Sequence, residues 1–232
     1  MQADGGDFGP PLDFMPKLRA LCDRHGILLV MDKIKIGMGR TGRMFGYEHG
    51  GVEADVVLLG KSLGGGMPLS AIVARKGILD IGSGITVFTT SGNATCCAAG
   101  LAVIEVIEAE GLVERSAQNG AYLLQCLRQA LSRYEIIGDV RGLGMINGIE
   151  LVTDRASKEP SPSSAAKIVY RAWELGLILY YAGMWGNVLE ITPPLTLNRS
   201  EIDEGVAILD QAVADVLAGK VSDETVAQFA GW

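Results

Sequence analysis

Histidine is scarce in this sequence. The 232 residues hold two, His25 and His49, too few for most histidine-based metal centres. Cysteine is little commoner. Cys22, Cys96, Cys97 and Cys126 match neither the spacing of a zinc site nor a secreted disulfide framework, so reduced thiols are expected. Positive charge is also short: 20 Lys and Arg against 27 Asp and Glu give a net charge of −7. Nothing resembles the basic stripe of a nucleic-acid binder. No apolar run reaches the roughly 18 residues of a membrane helix. The start, MQADGGDFGPP, has neither a basic head nor an apolar stretch and does not read as a signal peptide. Together these absences predict a cytoplasmic protein that handles small molecules, with no nucleic-acid or membrane partner.

Apolar residues, by contrast, make up 48% of the chain, enough for a sizeable core in one or two domains. The 31 glycines cluster in a few places, as backbone-specified loops do. Residues Phe14–His25 carry apolar positions at helical spacing and are followed by Gly26, a C-cap residue. Short apolar runs at Ile27–Met31, Val56–Leu59 and Leu69–Ala74 read as strands. Separated by helix or loop, they suit a mainly parallel sheet covered on both faces. Helices are predicted over Ala94–Ala109 and about 114–133, then over Ser164–Leu175 and Ser200–Leu217, the last capped by Ser200. Ile136–Val152 and Leu177–Ile191 read as strands with glycine turns. The expected architecture is α/β: part of a large domain over 1–115, then a smaller α+β domain over 116–232.

The stretch VVLLGKSLGGGMPLSA, residues 56–71, drives a lysine to the end of a buried strand. GKS suggests a phosphate loop, but that motif needs glycine where Asp55 stands, and Pro68 disfavours a long helix from Ser62. A lysine that merely snorkels to solvent is the bland alternative. Its company argues otherwise, because Asp32 ends another apolar strand. In a parallel sheet both charges fall at the carboxyl edge, where open α/β sheets bind ligands. A carboxylate and an amine on one rim suit a cofactor with a cationic ring nitrogen and an electrophilic carbonyl. Pyridoxal phosphate has both.

MDKIKIGMGRTGRMFGYEHGGVEADVVLLGKSLGGGMPLSA resembles the core signature of the class III pyridoxal-phosphate-dependent aminotransferases, of fold type I. FTTSGNATCCAAGLAVIEVIE, IGDVRGLGMINGIELV and ITPPLTLNRSEID resemble further motifs of that family, in order. The opening QADGGDFGPP, the segment RAWELGLILYYAGMWGNVLEITPPLTL and the terminal AQFAGW resemble racemases within it that act on α-amino lactams.

The resemblance implies roles. Lys61 forms a Schiff base with pyridoxal 5'-phosphate and then serves as acid and base. A free lysine is nearly all protonated at neutral pH and is a poor base, so the site must alter it. Asp32 pairs with the ring nitrogen and Ile34 packs on the ring. Lys35 lies near the cofactor's phenolic oxygen or the substrate. Thr89, or else Thr90, donates to the phosphate of a partner subunit's cofactor, which implies a homodimer or larger homo-oligomer. Asp4 is the residue the resemblance offers as the second base of a racemase. Ile34, Lys35, Thr89, Thr90 and Asp4 all retain ordinary readings as strand-end, loop or turn residues.

Glu190 stands where many family members that bind α-amino acids carry arginine. A glutamate repels a carboxylate by about 4 kcal/mol at about 4 Å and an effective dielectric near 20. That favours a lactam, amide or amine substrate. Tyr181, with Tyr180 and Trp185, is a candidate pocket wall, although aromatics on strands are more often core. Arg141 either meets substrate or holds the structure together. Gly64–Gly66 are expected to clear Cβ atoms from beside the cofactor.

Two departures stand out. Lys33 replaces the family's usual glutamate after Asp32 and threatens to draw that carboxylate into a salt bridge. The family's upstream glycine–serine phosphate loop and its ring-stacking aromatic are not among these residues, so an uncovered sheet edge and apolar surface are expected. Three functions follow: a racemase of an α-amino lactam or amide, a class III transaminase of an amine or amino acid, or a non-catalytic remnant.

Overall fold

The computed structural model describes residues 1–84 and 88–227. Of the AQFAGW segment only Ala227 falls among them. The chain divides into two compact units, one of Pro10–Ser116 and one that joins Met1–Gly9 to the residues from Ala117 onward. The first nine residues were expected with the large domain. They pack instead with the C-terminal unit.

The 10–116 unit opens with α1 (Phe14–His25), which Gly26 terminates in a left-handed turn, φ 62°. Strands β1 (Val30–Asp32), β2 (Val56–Leu59) and β3 (Ala71–Ala74) form a sheet in that order. β1 and β2 are parallel, with Asp32 opposite Leu58. β3 runs antiparallel to β2, a direction its apolar run could not encode. Cys22, Leu29 and Met31 are buried here against Met15, Leu18 and Tyr47. Ile27, Leu28 and Val30 near the β1 edge, and Ile72 and Val73 on β3, are each more than half exposed. Helix α2 (Ala94–Ala109) starts where the Asn93 side chain accepts from the Cys96 amide at 3.1 Å. The next helix, α3 (Leu112–Leu131), leads into the C-terminal unit.

That unit holds a second sheet, with β4 (Ile137–Gly142), β5 (Asn147–Leu151), β6 (Tyr180–Ala182) and β7 (Val188–Ile191) in the order β4-β5-β7-β6, all pairs antiparallel. Alternation sorts its side chains. Val140, Ile149, Leu151, Leu189 and Ile191 share one core with α3, α4 (Pro162–Glu174) and α5 (Arg199–Leu217). Asp139, Arg141, Glu150 and Glu190 fall on the other face. Helix α5 is capped by Asn198, not by the expected Ser200. The Asn198 side chain accepts from the Glu201 amide, and the Glu201 carboxylate accepts from the Asn198 amide. A short helix, α6 (Asp223–Ala227), follows.

Asp215 near the end of α5 ties this unit together. Its carboxylate is almost completely covered and takes hydrogen bonds from Lys220, Arg171 on α4 and Gln211, each at 2.7–2.8 Å. The Lys220 and Arg171 bonds hold its pKa at about 2, below the ordinary 3.8. A carboxylate with a depressed folded pKa stabilises above its ordinary value, and that stabilisation fades as pH falls towards the folded one. Asp215→Asn is therefore expected to lower the urea midpoint at pH 7. The gap to wild type should shrink between about pH 4 and pH 2. A gap that stays constant across that window would contradict the tie.

Candidate functional site

Two groups of predicted residues emerge, one in each unit. In the 10–116 unit, β1 and β2 point the same way, so their carboxyl ends meet at one rim. Asp32 is the last residue of β1 and is exposed. The ladder continues one step past it, with the Lys33 amide donating to the Leu58 carbonyl at 2.9 Å. Beyond Leu59 the chain passes extended Gly60 and enters a tight 3-10 turn, Lys61–Gly64. Lys61 opens that turn, exposed, with φ at 48°. This left-handed conformation costs a residue with a Cβ roughly 1–2 kcal/mol. Such strain collects at functional positions.

The two strand ends touch. A Cβ placed on Gly60 would lie 3.3 Å from Cγ2 of Ile34, so the half-buried Ile34 side chain leans on the approach to Lys61. The Ile34 amide donates to Asp32 Oδ1 at 2.9 Å, which fixes one carboxylate oxygen. Lys35 is half-buried. Thr89 and Thr90 are exposed in the turn that leads to α2, where the Thr90 carbonyl accepts from the Asn93 amide at 3.2 Å.

Lys33 does not do what its sequence position threatened. It is 7% exposed, whereas Asp32 is open to solvent, because successive strand residues leave opposite faces. Burial lowers the pKa of the Lys33 ammonium, and the charge of Asp32 partly opposes that.

The glycines after Lys61 also have another reason than the expected one. A Cβ on Gly64 would sit 3.1 Å from Cβ of Leu69, and one on Gly65 would sit 2.7 Å from Val103 on α2. Gly65 and Gly66 also turn through φ 58° and 98°. They let the loop turn and pack tightly on its own unit.

In the C-terminal unit the first residues form a small hairpin. Gln2 and Phe8 exchange backbone hydrogen bonds at 2.8 and 3.1 Å, and the Gly6 and Asp7 amides donate to the Ala3 carbonyl. Asp4 is exposed at its turn, and its carbonyl accepts from the Gly183 amide at 3.1 Å. The hairpin lies on the polar face of the second sheet. Across that sheet Arg141, Gly148, Glu190 and Tyr180 stand directly opposite one another in one row, so they share a face. Where Gly148 has no side chain, the Asp7 carboxyl fills the gap, 3.1 Å from where a Cβ would be. Glu190 is 1% exposed and accepts from the Tyr180 hydroxyl. Tyr181 is opposite Leu189 and packs on the apolar core. Glu190 and Tyr181 therefore do not share a wall; Tyr180 is the aromatic on Glu190's face. Trp185 is exposed. Asp7 escaped the sequence reading, and only the lone Gly148 amid alternating residues signalled a close approach there.

The rim of β1 and β2 is thus the carboxyl edge of a parallel pair with a strained lysine, a pinned carboxylate and the Ile34 side chain close against Gly60. An amine that captures a carbonyl and a carboxylate that suits a protonated pyridine nitrogen fit pyridoxal phosphate, and the open exposure of both leaves it room to bind. This defines the class: a pyridoxal-phosphate fold of type I. The chain belongs to the class III aminotransferase family, whose sequence model, described as "Aminotransferase class-III", matches residues 1–213.

The chain is 44% identical to the leucine/methionine racemase of Thermococcus litoralis, over 100% of this chain and 52% of that protein. It is 42% identical to the 5-aminovalerate aminotransferase of Pseudomonas putida, over 93% of this chain and 51% of that protein. An amine transaminase from an uncultivated Pseudomonas species, solved in its pyridoxal-phosphate-bound form, superposes with a TM-score of 0.86 at 37% identity. The match covers 92% of this chain and 50% of that one. The chain spans about half the length of the curated relatives it matches. Among the described residues no helix is long and apolar enough to cross a membrane, and no cluster of three metal-ligating side chains occurs.

Proposed function

We propose that the chain carries the lysine-bearing half of a pyridoxal-phosphate-dependent racemase of an α-amino compound. The observation that carries this reading is Lys61 itself: a lysine held at φ 48° on the rim that Asp32 also occupies. The bound cofactor would supply an electron sink that makes the substrate's α-proton acidic. The chain's own residues would take the following parts. Lys61 Nζ would hold the cofactor and carry the α-proton on one face. Asp32, its Oδ1 fixed by the Ile34 amide, would keep the ring nitrogen protonated. Ile34 would wall the ring, Lys35 would supply a polar contact at its edge, and Thr89, or else Thr90, would donate to the phosphate of a partner subunit's cofactor. Asp4 carries the proton on the second face. Two residues that each hold and move a proton separate a racemase from a transaminase, which returns the same proton to the cofactor.

Glu190 supports a neutral carbonyl in the substrate, an amide or lactam. A substrate carboxylate close to Glu190 would meet a like charge. The second reading, a transaminase, draws on the similarity to the 5-aminovalerate aminotransferase. One assay separates them. A single enantiomer of an α-amino lactam, and separately of leucine, is incubated with the protein and pyridoxal phosphate but no keto acid. Inversion without ketone is expected, faster for the lactam. An absolute need for a keto acceptor would overturn the racemase. Faster inversion of leucine would overturn only the lactam.

A further inference from the structure

The N-terminal hairpin is built to hold Asp4, and the fold spends one unusually well-connected arginine on it. Arg141 on β4 donates twice to the Gly6 carbonyl, from Nε at 2.8 Å and Nη2 at 2.6 Å. Its remaining Nη1 reaches Asp139 at 3.0 Å and Glu150 at 2.6 Å. Those carboxylates orient the guanidinium from its own sheet. Its flat face lies 3.8 Å from the centroid of the Phe8 ring. The planar fork thus grips a carbonyl with one edge, a carboxylate pair with the other and an aromatic with its face. The side chain is 13% exposed, so its donors face the protein.

The carbonyl and the ring that Arg141 holds both fall on the strip that bears Asp4. Gly6 and Phe8 follow Asp4 by two and four residues. The Gly6 and Asp7 amides close the turn on the Ala3 carbonyl, and Gly183 holds the Asp4 carbonyl from the other side. Asp7 adopts φ 59°, and its carboxyl fills the notch at Gly148, which seats the hairpin against sliding along the row. The site is over-determined for a loop of nine residues with an exposed aspartate at its tip.

We infer that Arg141 is a positioning residue for Asp4: it fixes the hairpin so that the second proton-transfer group keeps one place. The inference rests on Asp4 as the second base of the proposed racemase. It assigns Arg141, whose role the sequence left open, to the chain's own backbone and not to a substrate carboxylate.

The test uses Arg141→Gln, Arg141→Lys and Asp4→Asn in the full chain, with two readouts. Hydrogen exchange comes first and needs no turnover. In Arg141→Gln the amides of Asp7, Phe8 and Gly183 should exchange at least about tenfold faster, while core amides such as Ile149 keep their protection. Arg141→Lys should recover part of this, since an ammonium can meet the Gly6 carbonyl but cannot fork. Unchanged exchange in the hairpin, or a rise spread evenly over the whole unit, overturns the clamp.

Proton transfer comes second. Arg141→Gln should slow inversion about 10²-fold, the scale expected when a group is misplaced by about 1 Å. KM and the solvent exchange of the α-proton with retention should hold. Asp4→Asn should show the same split, and the double variant should be no slower than the slower single one. Additive losses, or equal loss of both activities, overturn the positioning role. Normal inversion by Asp4→Asn, with the hairpin loosened in Arg141→Gln, sinks the two-base reading and leaves the clamp standing.

Discussion

Lys61→Ala is expected to lose turnover by at least about 10⁴-fold, the upper range for removing a single acid–base group. It should also lose cofactor attachment. Borohydride reduction in the presence of pyridoxal phosphate should leave a pyridoxyl group on the peptide containing Lys61 in the wild type and on none in the variant. Lys61→Arg should fail as completely, because guanidinium stays charged and does not condense with the aldehyde. Charge alone is therefore not what the rim needs. The fold should not suffer. The lysine is exposed and sits in a left-handed conformation that glycine adopts without penalty. Lys61→Gly should thus be at least as stable as Lys61→Ala while equally inactive, a pattern in which function is retained at the expense of stability. A pyridoxyl group on another lysine of folded wild-type protein would sink the assignment of Lys61.

Gly120→Ala is expected to be the most damaging small substitution. Within a helix such a change ordinarily stabilises by up to about 1 kcal/mol. In α3 the sign reverses. A Cβ at Gly120 would sit 2.1 Å from the carbonyl carbon and oxygen of Gly144, in the turn between β4 and β5. Backbone cannot rotate aside as a long side chain can. The helix must lift from the sheet over a core where Leu127, Leu131 and Ile149 are 0–1% exposed. A loss of about 3 kcal/mol or more is expected, at the upper end for overpacking. The urea midpoint should fall with little change in slope. An unchanged or higher midpoint would refute the close approach.

How far did the residues announce all this? Local signals did well where local physics decides. Gly26 ended α1 as its C-cap. The α5 cap was misread because two candidates stand side by side. Ser200 with Asp203 resembles the motif, but Asn198 with Glu201 has the longer carboxylate that reaches back to the cap amide. The direction of β3 was not readable, since an apolar run has the same pattern in either sense. The Asp32–Lys61 rim was legible because each charge closes an apolar strand. The place of Tyr181 was missed for want of register: only pairing shows that it faces Leu189 while Tyr180 faces Glu190. The hairpin was invisible for a different reason. Nothing near Gly6 in the sequence says that its carbonyl will be met by an arginine from β4.

That arginine lies 135 residues further along the chain. During synthesis at roughly 5–20 residues per second, the opening strip must wait on the order of ten seconds before the strand that clasps it exists. A segment made well before its clasp is thus seated late. Residues Pro10–Ser116, the whole of the other unit, are made in the interval between the strip and its clasp.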